Sequence, residues 1–310
     1  MYKGRVGIWI TVILCCALIT GLFKWVPTWF ESNDLSVKIE MQNDSGMSET
    51  LSRNKINGYR LNLTDKDAEI IISDKSDSIS GYTKIENKLF SPLVMYMLAD
   101  IDDHPEGLIK MGTNSYAFKV DLYTILEAME NSKEWEDIGF SNKIIKGPVT
   151  IHIPNEQASY YNRVVDLFYL TLNKGEIPDN DTKEALKPRV DKLLEKCVKV
   201  VDVNQAVYEE YKKSSTNHKV FIGPEYLFRR GAEYSMSRQN EDSFQPVYFV
   251  KTVTLYADIF VKDVEDSNNL NRFIEKITEK DAFMSKTGWR VEDSTFDISY
   301  ISSAYIKEPN

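Results

Sequence analysis

The sequence predicts an α/β fold that follows one N-terminal transmembrane helix. The α/β prediction comes from short apolar runs that alternate with segments of helical periodicity along the chain, because such alternation favours a parallel sheet covered by helices. The transmembrane prediction comes from eighteen uncharged residues, Val6 to Phe23. As a helix they span about 27 Å, close to the thickness of the hydrocarbon layer of a membrane.

Residues on both sides of the apolar segment predict its orientation. Lys3 and Arg5 precede it, which places the N-terminus inside, and Trp25 and Trp29 follow it, where aromatic rings favour the membrane interface. A cleaved signal peptide is the alternative, but the residues after the segment are bulky or charged, so no small-residue cleavage site follows. We therefore expect an uncleaved single-pass anchor and spacer over residues 1–31, with the globular part extracytoplasmic.

Charge and cysteine content narrow the class of protein. The formal net charge is -9 and the sequence pI is about 5.1, whereas a nucleic-acid surface needs clustered Lys and Arg, so we expect no nucleic-acid partner. Cys15 and Cys16 lie inside the apolar segment and Cys197 stands alone, so no disulfide framework is expected. One exported cysteine is typical of a cell surface of the Gram-positive type.

The globular part begins with strands and continues with a helix-rich middle. An apolar run flanked by acids, 67–74, is typical of a buried parallel strand. The other predicted strands are 35–41, 88–98, 147–154, 218–228 and 246–261, and the predicted helices are 121–137, 158–175, 183–197, 204–213 and 268–280. Packing the C-terminal strand and helix back on the first strands gives two lobes joined by two crossing strands.

Four stretches carry a family resemblance. They are DAEIIISD (67–74), SPLVMYM (91–97), GPVTIHIPNEQASYYNRVVDLF (147–168) and NRFIEKITEKDAFMSKTGWR (271–290). In this order they resemble a type II periplasmic-binding-protein fold, and more closely the bacterial extracellular solute-binding proteins of ABC-type uptake systems. The resemblance implies a two-lobed Venus flytrap, with lobe I over 32–97 plus 251–310 and lobe II over 98–250. Because the phosphate-binder and molybdate-binder signatures are not clearly present, no ligand class is carried over.

Polar residues at the predicted carboxyl ends of strands are the candidate ligand contacts. In open α/β sheets the ligand lies beyond these ends, where helix N-termini present free backbone N–H groups. The candidates are Ser45, Ser73, Asp74, Ser91, Asn155 and Glu225. Structural alternatives stay open: Ser45 and Asn155 are helix-cap types, Ser73 and Asp74 fit a solvated turn, and a loop glutamate such as Glu225 is usually solvated.

Catalytic groups are scarce. His104, His152 and His218 are far apart, and none stands in a metal-ligand spacing. No phosphate-binding loop, dinucleotide fingerprint or Gly-x-Ser-x-Gly elbow occurs. His152 alternates within a predicted strand, which favours a sheet histidine over a catalytic base, and Cys197 is predicted to be a buried structural thiol. We expect no metal, no cofactor and no enzyme activity.

These observations predict a membrane-anchored extracytoplasmic solute-binding protein that binds a small molecule in an interlobe cleft and serves an ABC-type permease. The alternative is a cell-surface interaction or sensor protein that reuses the fold without transport. A hydrolase or transferase is the third hypothesis, disfavoured because no nucleophile–base pair is evident.

Overall fold

A computed structural model describes residues 34–41, 55–56, 59–64, 66–74, 78–99, 108–110, 118–140, 145–212, 219–227, 243–263, 288–291 and 302–304. The predicted anchor and the predicted helix 268–280 lie outside the described residues. Within the described ranges, no helix is long and apolar enough to cross a membrane.

The described elements are those of a mixed α/β protein. The strands are β1 Asp34–Glu40, β2 Lys55–Ile56, β3 Tyr59–Leu63, β4 Ile70–Ser73, β5 Tyr82–Ala99, β6 Ile109–Lys110, β7 Phe118–Val120, β8 Ile151–Pro154, β9 Val198–Val200, β10 Val220–Pro224, β11 Ser243–Phe249, β12 Lys251–Lys262, β13 Arg290–Val291 and β14 Ser302–Ala304. The helices are α1 Leu122–Glu130, α2 Tyr161–Leu172, α3 Asn180–Lys196 and α4 Val203–Lys212, with a short 3-10 helix at Glu136–Ile138.

The strands form two half-sheets that repeat one strand order. The first half-sheet runs β3-β1-β4-β12-β5, and the second runs β9-β8-β10-β5-β11. In each, three parallel strands are followed by a fourth that runs antiparallel to them and a fifth that runs parallel to them again. Strand β5 belongs to both half-sheets, and so does the continuous segment formed by β11 and β12. The two crossing segments predicted from the sequence are therefore present.

Each half-sheet has its own buried core. In the second half-sheet, α2 places Val164, Leu167 and Phe168 on one face, at the spacing expected for a helix packed against a sheet, and these side chains are fully buried. In the first half-sheet, the all-apolar run that begins β4 is buried on both faces. The predicted lobe boundaries at 97–98 and 250–251 remain a prediction.

Local signals explain where the helices begin. Helix α1 is preceded by Asp121, whose carboxylate accepts a hydrogen bond from the Tyr123 N–H, and α3 is preceded by Asp179, which accepts from the Thr182 N–H. Such caps satisfy donors that have no partner inside the helix. Both helices were predicted from periodicity, and the structure confirms them, with α1 ending at Glu130 and not continuing to 137.

Cys197 directly follows α3 and is a buried free thiol, as predicted. Burial raises the pKa of this thiol to about 12. We therefore expect iodoacetamide at pH 8 to modify Cys197 in the native protein at least about a thousandfold more slowly than in guanidinium, because the thiolate is the reactive form. Mass spectrometry of the Cys197 peptide measures both rates.

The same shift has a consequence for stability. A folded-state pKa above the unfolded value stabilises the fold below about pH 9, and this contribution is lost as the pH rises from about 9 to 12.

For the alkylation experiment, equal rates in native and denatured protein would show that the Cys197 thiol is accessible.

Candidate functional site

The strand directions bring the carboxyl ends of the two half-sheets together. Strands β1 and β4 run parallel to β5, which leaves the first half-sheet and enters the second. Strands β8 and β10 run antiparallel to β5. The carboxyl ends of both sets therefore point toward the crossing. This is the place where α/β proteins bind ligands.

Asn155 lies at the carboxyl end of β8. Its N–H donates to the Val200 carbonyl at 2.9 Å, and its Oδ1 accepts from the Gln157 N–H at 3.2 Å. Extending the pairing of β8 with β10 places Asn155 level with Pro224. Asn155 thus forms the turn that leads toward α2, which agrees with the structural alternative of a cap residue. It also lies at the edge of the sheet where a ligand contact was predicted.

Ser73 and Asp74 lie at the carboxyl end of β4, in the first half-sheet. Ser73 is fully buried, and its hydroxyl donates to the Glu40 carbonyl at 3.3 Å on the neighbouring strand. Asp74 follows it and is exposed. Ser73 and Asp74 therefore face the crossing from the first half-sheet, whereas Asn155 faces it from the second. Ser45 lies outside the described residues.

Ser91 lies on β5 and is fully buried. Its Oγ accepts a hydrogen bond from the Tyr226 N–H at 3.0 Å. Ser91 pairs with Leu255 in the first half-sheet, whereas Tyr226 follows a strand of the second. The hydroxyl therefore joins the two half-sheets at the crossing.

Glu225 is fully buried, so the interpretation of a solvated loop residue is wrong. Arg290 donates to its carboxylate from Nε at 2.5 Å and from Nη2 at 2.6 Å. The Tyr248 hydroxyl also donates to Glu225, at 2.6 Å, and accepts from Arg290 at 3.0 Å. Sequence reasoning missed this network because its three members lie far apart along the chain.

The charge of Arg290 is maintained by its partner. Burial disfavours the charged guanidinium, but the adjacent Glu225 carboxylate and its hydrogen bonds raise the pKa of Arg290 above its usual value. Arg290 is 2% exposed and Glu225 0%. Because both charges are buried, each stabilises the other, and neither is presented to solvent as an anion or cation site.

Aromatic rings lie close to the Glu225–Arg290 ion pair. Trp289 stacks on Tyr226, with ring centroids 4.9 Å apart and an interplanar angle of 11°. Tyr160, which precedes α2, is buried in the same cluster. Burial, with smaller contributions from Tyr226 and Asp202, raises the pKa of the Tyr160 hydroxyl well above its usual range, so it stays neutral. Trp289 belongs to the stretch 271–290 that carries part of the family resemblance.

Ser159 adds one polar group beside these rings. Its Oγ is buried and has no hydrogen-bond partner among the described residues. It precedes α2, whose N-terminus at Tyr160 carries no side-chain cap. A buried hydroxyl at such a position is suited to a ligand oxygen or nitrogen. Sequence reasoning missed Ser159 because it lies inside the predicted helix 158–175, whereas the observed helix begins at Tyr161.

His152 has a structural role within the sheet. His152 lies in β8 with its Nδ1 3.2 Å from the Val220 carbonyl, which confirms a sheet histidine. Among the residues that the structure describes, no cluster of three His, Cys, Asp or Glu side chains is placed to hold a metal ion. His104 and His218 lie outside these residues. The prediction that the protein is not an enzyme stays a prediction.

Comparisons with known proteins give structural matches alone. No protein-family model matches the sequence, and no curated protein matches it. The fold is similar to the sulfate-binding protein SubI from Mycobacterium tuberculosis (10% identity, 87% of this chain and 94% of that chain, TM-score 0.43) and to the periplasmic binding protein P5PA (10%, 87% and 91%, TM-score 0.39). It is also similar to a eukaryotic thiaminase-I (9%, 88% and 94%, TM-score 0.44), which is an enzyme.

The strand order defines the fold. Two half-sheets with one repeated order share two crossing segments and direct their strand carboxyl ends at each other. The protein has a type II periplasmic-binding-protein-like α/β fold, as the resemblance implied.

Proposed function

We propose that the protein is a membrane-anchored, extracytoplasmic solute-binding protein that binds a small molecule where the two half-sheets meet. The observation that carries the proposal is the convergence of strand carboxyl ends from both half-sheets on the crossing at β5. A ligand held there contacts both half-sheets at once, and contacts made only in the closed arrangement favour closure. The anchor is the apolar segment Val6 to Phe23, and the partner of the closed form is an ABC-type permease.

Two features support a partly apolar, hydrogen-bonding ligand. Tyr160, Tyr226 and Trp289 are buried beside the crossing, so that separation of the half-sheets would expose aromatic surface to a ligand, and Ser159 supplies a buried hydroxyl. Pockets of this kind bind small molecules through apolar walls and a few placed polar groups. Arg290 is already paired with Glu225, so the ligand's charge is not selected by this ion pair.

Thermal unfolding of the full chain in detergent micelles tests the proposal. Sugars, amino acids, peptides and oxyanions form the panel. A ligand at a hundred times its dissociation constant should add about 2.7 kcal/mol of stability, which raises the midpoint by several degrees. The variant Asn155→Ala should reduce this shift. Its matched control is Asn173→Ala, a turn asparagine at the other end of α2, which should retain the shift.

The alternative proposal is a surface interaction or sensor protein that keeps the fold without transport. It is favoured by one observation, the burial of Tyr160 and Tyr226 against the first half-sheet, because these rings fill space beside the crossing. If no compound class raises the unfolding midpoint, this alternative replaces the uptake proposal. If a compound raises the unfolding midpoint of Asn155→Ala as much as that of the wild type, the ligand does not contact the carboxyl end of β8.

A further inference from the structure

Two short segments form a contact between the half-sheets. Glu225 and Tyr226 follow β10 of the second half-sheet, and Gly288, Trp289 and Arg290 lead into β13 of the first. We call these five residues the junction. Its contacts are the Glu225–Arg290 ion pair, the stacked rings of Tyr226 and Trp289, and the close approach of Gly288 to the Tyr226 backbone.

The junction lies directly beside the crossing. Strand β13 pairs with β5 at Leu89 and Phe90, and β10 pairs with β5 at Leu93–Tyr96. At these positions β12 and β11 occupy the other side of β5. The junction therefore closes the side of β5 that the crossing segment β11–β12 leaves open. A rotation of one half-sheet against the other separates the two halves of the junction when its axis lies on the β11–β12 side of β5, because the halves belong to different half-sheets.

We propose that the junction is a latch, which holds the two half-sheets in the closed arrangement before any ligand binds. The proposal deepens the proposed function, since it assumes two half-sheets that move about β5 and the β11–β12 segment. In this proposal the arrangement described here is taken as the closed one, because Tyr160 and Tyr226 of the second half-sheet are buried in the core of the first.

The ion pair makes the latch behave as an all-or-none contact. Glu225 and Arg290 are stable in the closed arrangement because each charge neutralises the other, and in a fully open arrangement both would be hydrated. A partly open arrangement would leave two separated charges without water, which is unfavourable. The latch is therefore either formed or broken.

Removing one charge should release the latch. In Glu225→Gln, Arg290 remains buried without its counter-charge, so the closed arrangement is penalised and the open one, which hydrates Arg290, is not. In the double variant Glu225→Gln with Arg290→Met no charge remains, and the aliphatic side chain fills much of the same volume. We expect the single variant to open and the double variant to close again.

Hydrogen exchange of the full chain in detergent micelles, with no ligand added, measures the latch. In Glu225→Gln the peptides that cover 224–227 and 288–291 should exchange at least about tenfold faster than in the wild type. Peptides that cover β1 and β8, which lie inside the two half-sheets, should change by less than about threefold. The double variant should return the junction peptides to within about threefold of wild type.

A milder variant covers the case in which Glu225→Gln does not fold. Tyr248→Phe removes one hydroxyl from the Glu225–Arg290 network and keeps the ring. Its matched control is Tyr82→Phe, which removes a tyrosine hydrogen bond of 2.6 Å to the Ala68 carbonyl, away from the junction. Tyr248→Phe should raise exchange in the junction peptides, and Tyr82→Phe should leave them unchanged.

Two results would overturn the latch. One is unchanged junction exchange in these variants. The other is an equal rise in the junction, β1 and β8, which would make the ion pair an ordinary part of global stability. Neither result depends on a ligand. If no compound raises the unfolding midpoint but exchange rises only in the junction peptides, the uptake proposal is wrong and the latch proposal still holds.

Discussion

Gly288→Ala should lower the free energy of unfolding by about 3 kcal/mol or more, because two penalties combine. Gly288 has a φ of +78°, a left-handed conformation that side chains with a Cβ adopt at a cost of roughly 1–2 kcal/mol. The added Cβ would lie 2.4 Å from the Tyr226 carbonyl oxygen, and 2.9 Å from its Cα. Both are backbone atoms, so relief requires the junction to move. Urea unfolding of the full chain measures the loss.

Gly81→Ala is the matched control. Gly81 has nearly the same φ, +79°, and nothing lies within 4 Å of its added Cβ. It should therefore lose only the conformational penalty, about 1–2 kcal/mol. Equal losses in the two variants would contradict the close approach of Gly288 to Tyr226, and with it the tight packing of the junction.

Trp289→Ala should lower the free energy of unfolding by about 3–5 kcal/mol, the range for deleting a large buried aromatic side chain. Trp289 is 1% exposed, lies in the core of the first half-sheet and stacks on Tyr226. Its removal leaves a cavity that the strands around it cannot fill. Denaturant unfolding, monitored by circular dichroism so that the lost tryptophan does not alter the signal, measures the effect.

Trp289→Phe separates packing from ring stacking. Phenylalanine keeps an aromatic face against Tyr226 and most of the buried volume, so we expect a loss of about 1–2 kcal/mol. If Trp289→Ala costs no more than Trp289→Phe, the buried position of Trp289 is wrong.

Apolar patterning was sufficient to predict the central strands. The runs that became β4, β8, β10 and the part of β5 from Leu89 to Met97 are buried on both faces, so their sequences carry a continuous apolar signal. The start of β5 at Tyr82 was not predicted, because its residues are exposed or half-buried. Strand β9 was missed because its residues are largely exposed and it is short. The predicted strand 246–261 is two strands, since Val250 separates the segment in the second half-sheet from the one in the first.

The candidate site residues were chosen for their positions along the predicted strands, and the contacts that their side chains make could not be predicted. Ser91 begins the stretch 91–97 that carries part of the family resemblance, and the structure places its Oγ in a hydrogen bond with the Tyr226 N–H. The role of Glu225 could not be predicted, because its charge partner is 65 residues away and nothing local marks the pair. Glu in a loop is usually solvated, and the fold alone makes it buried.

Because the chain crosses from one half-sheet to the other and back, the strands of the two half-sheets become available for pairing at different times during synthesis. Strand β4 pairs on one side with β1, which is made first, but on the other side with Asp258–Val261 of β12. At roughly 5–20 residues per second, that edge of β4 waits about 10–40 s for its partner. An unpaired, largely apolar edge such as Ile70–Ser73 is prone to aggregation. The second half-sheet can complete its strands before β12 appears, so the first half-sheet is the part for which a nascent chain needs protection.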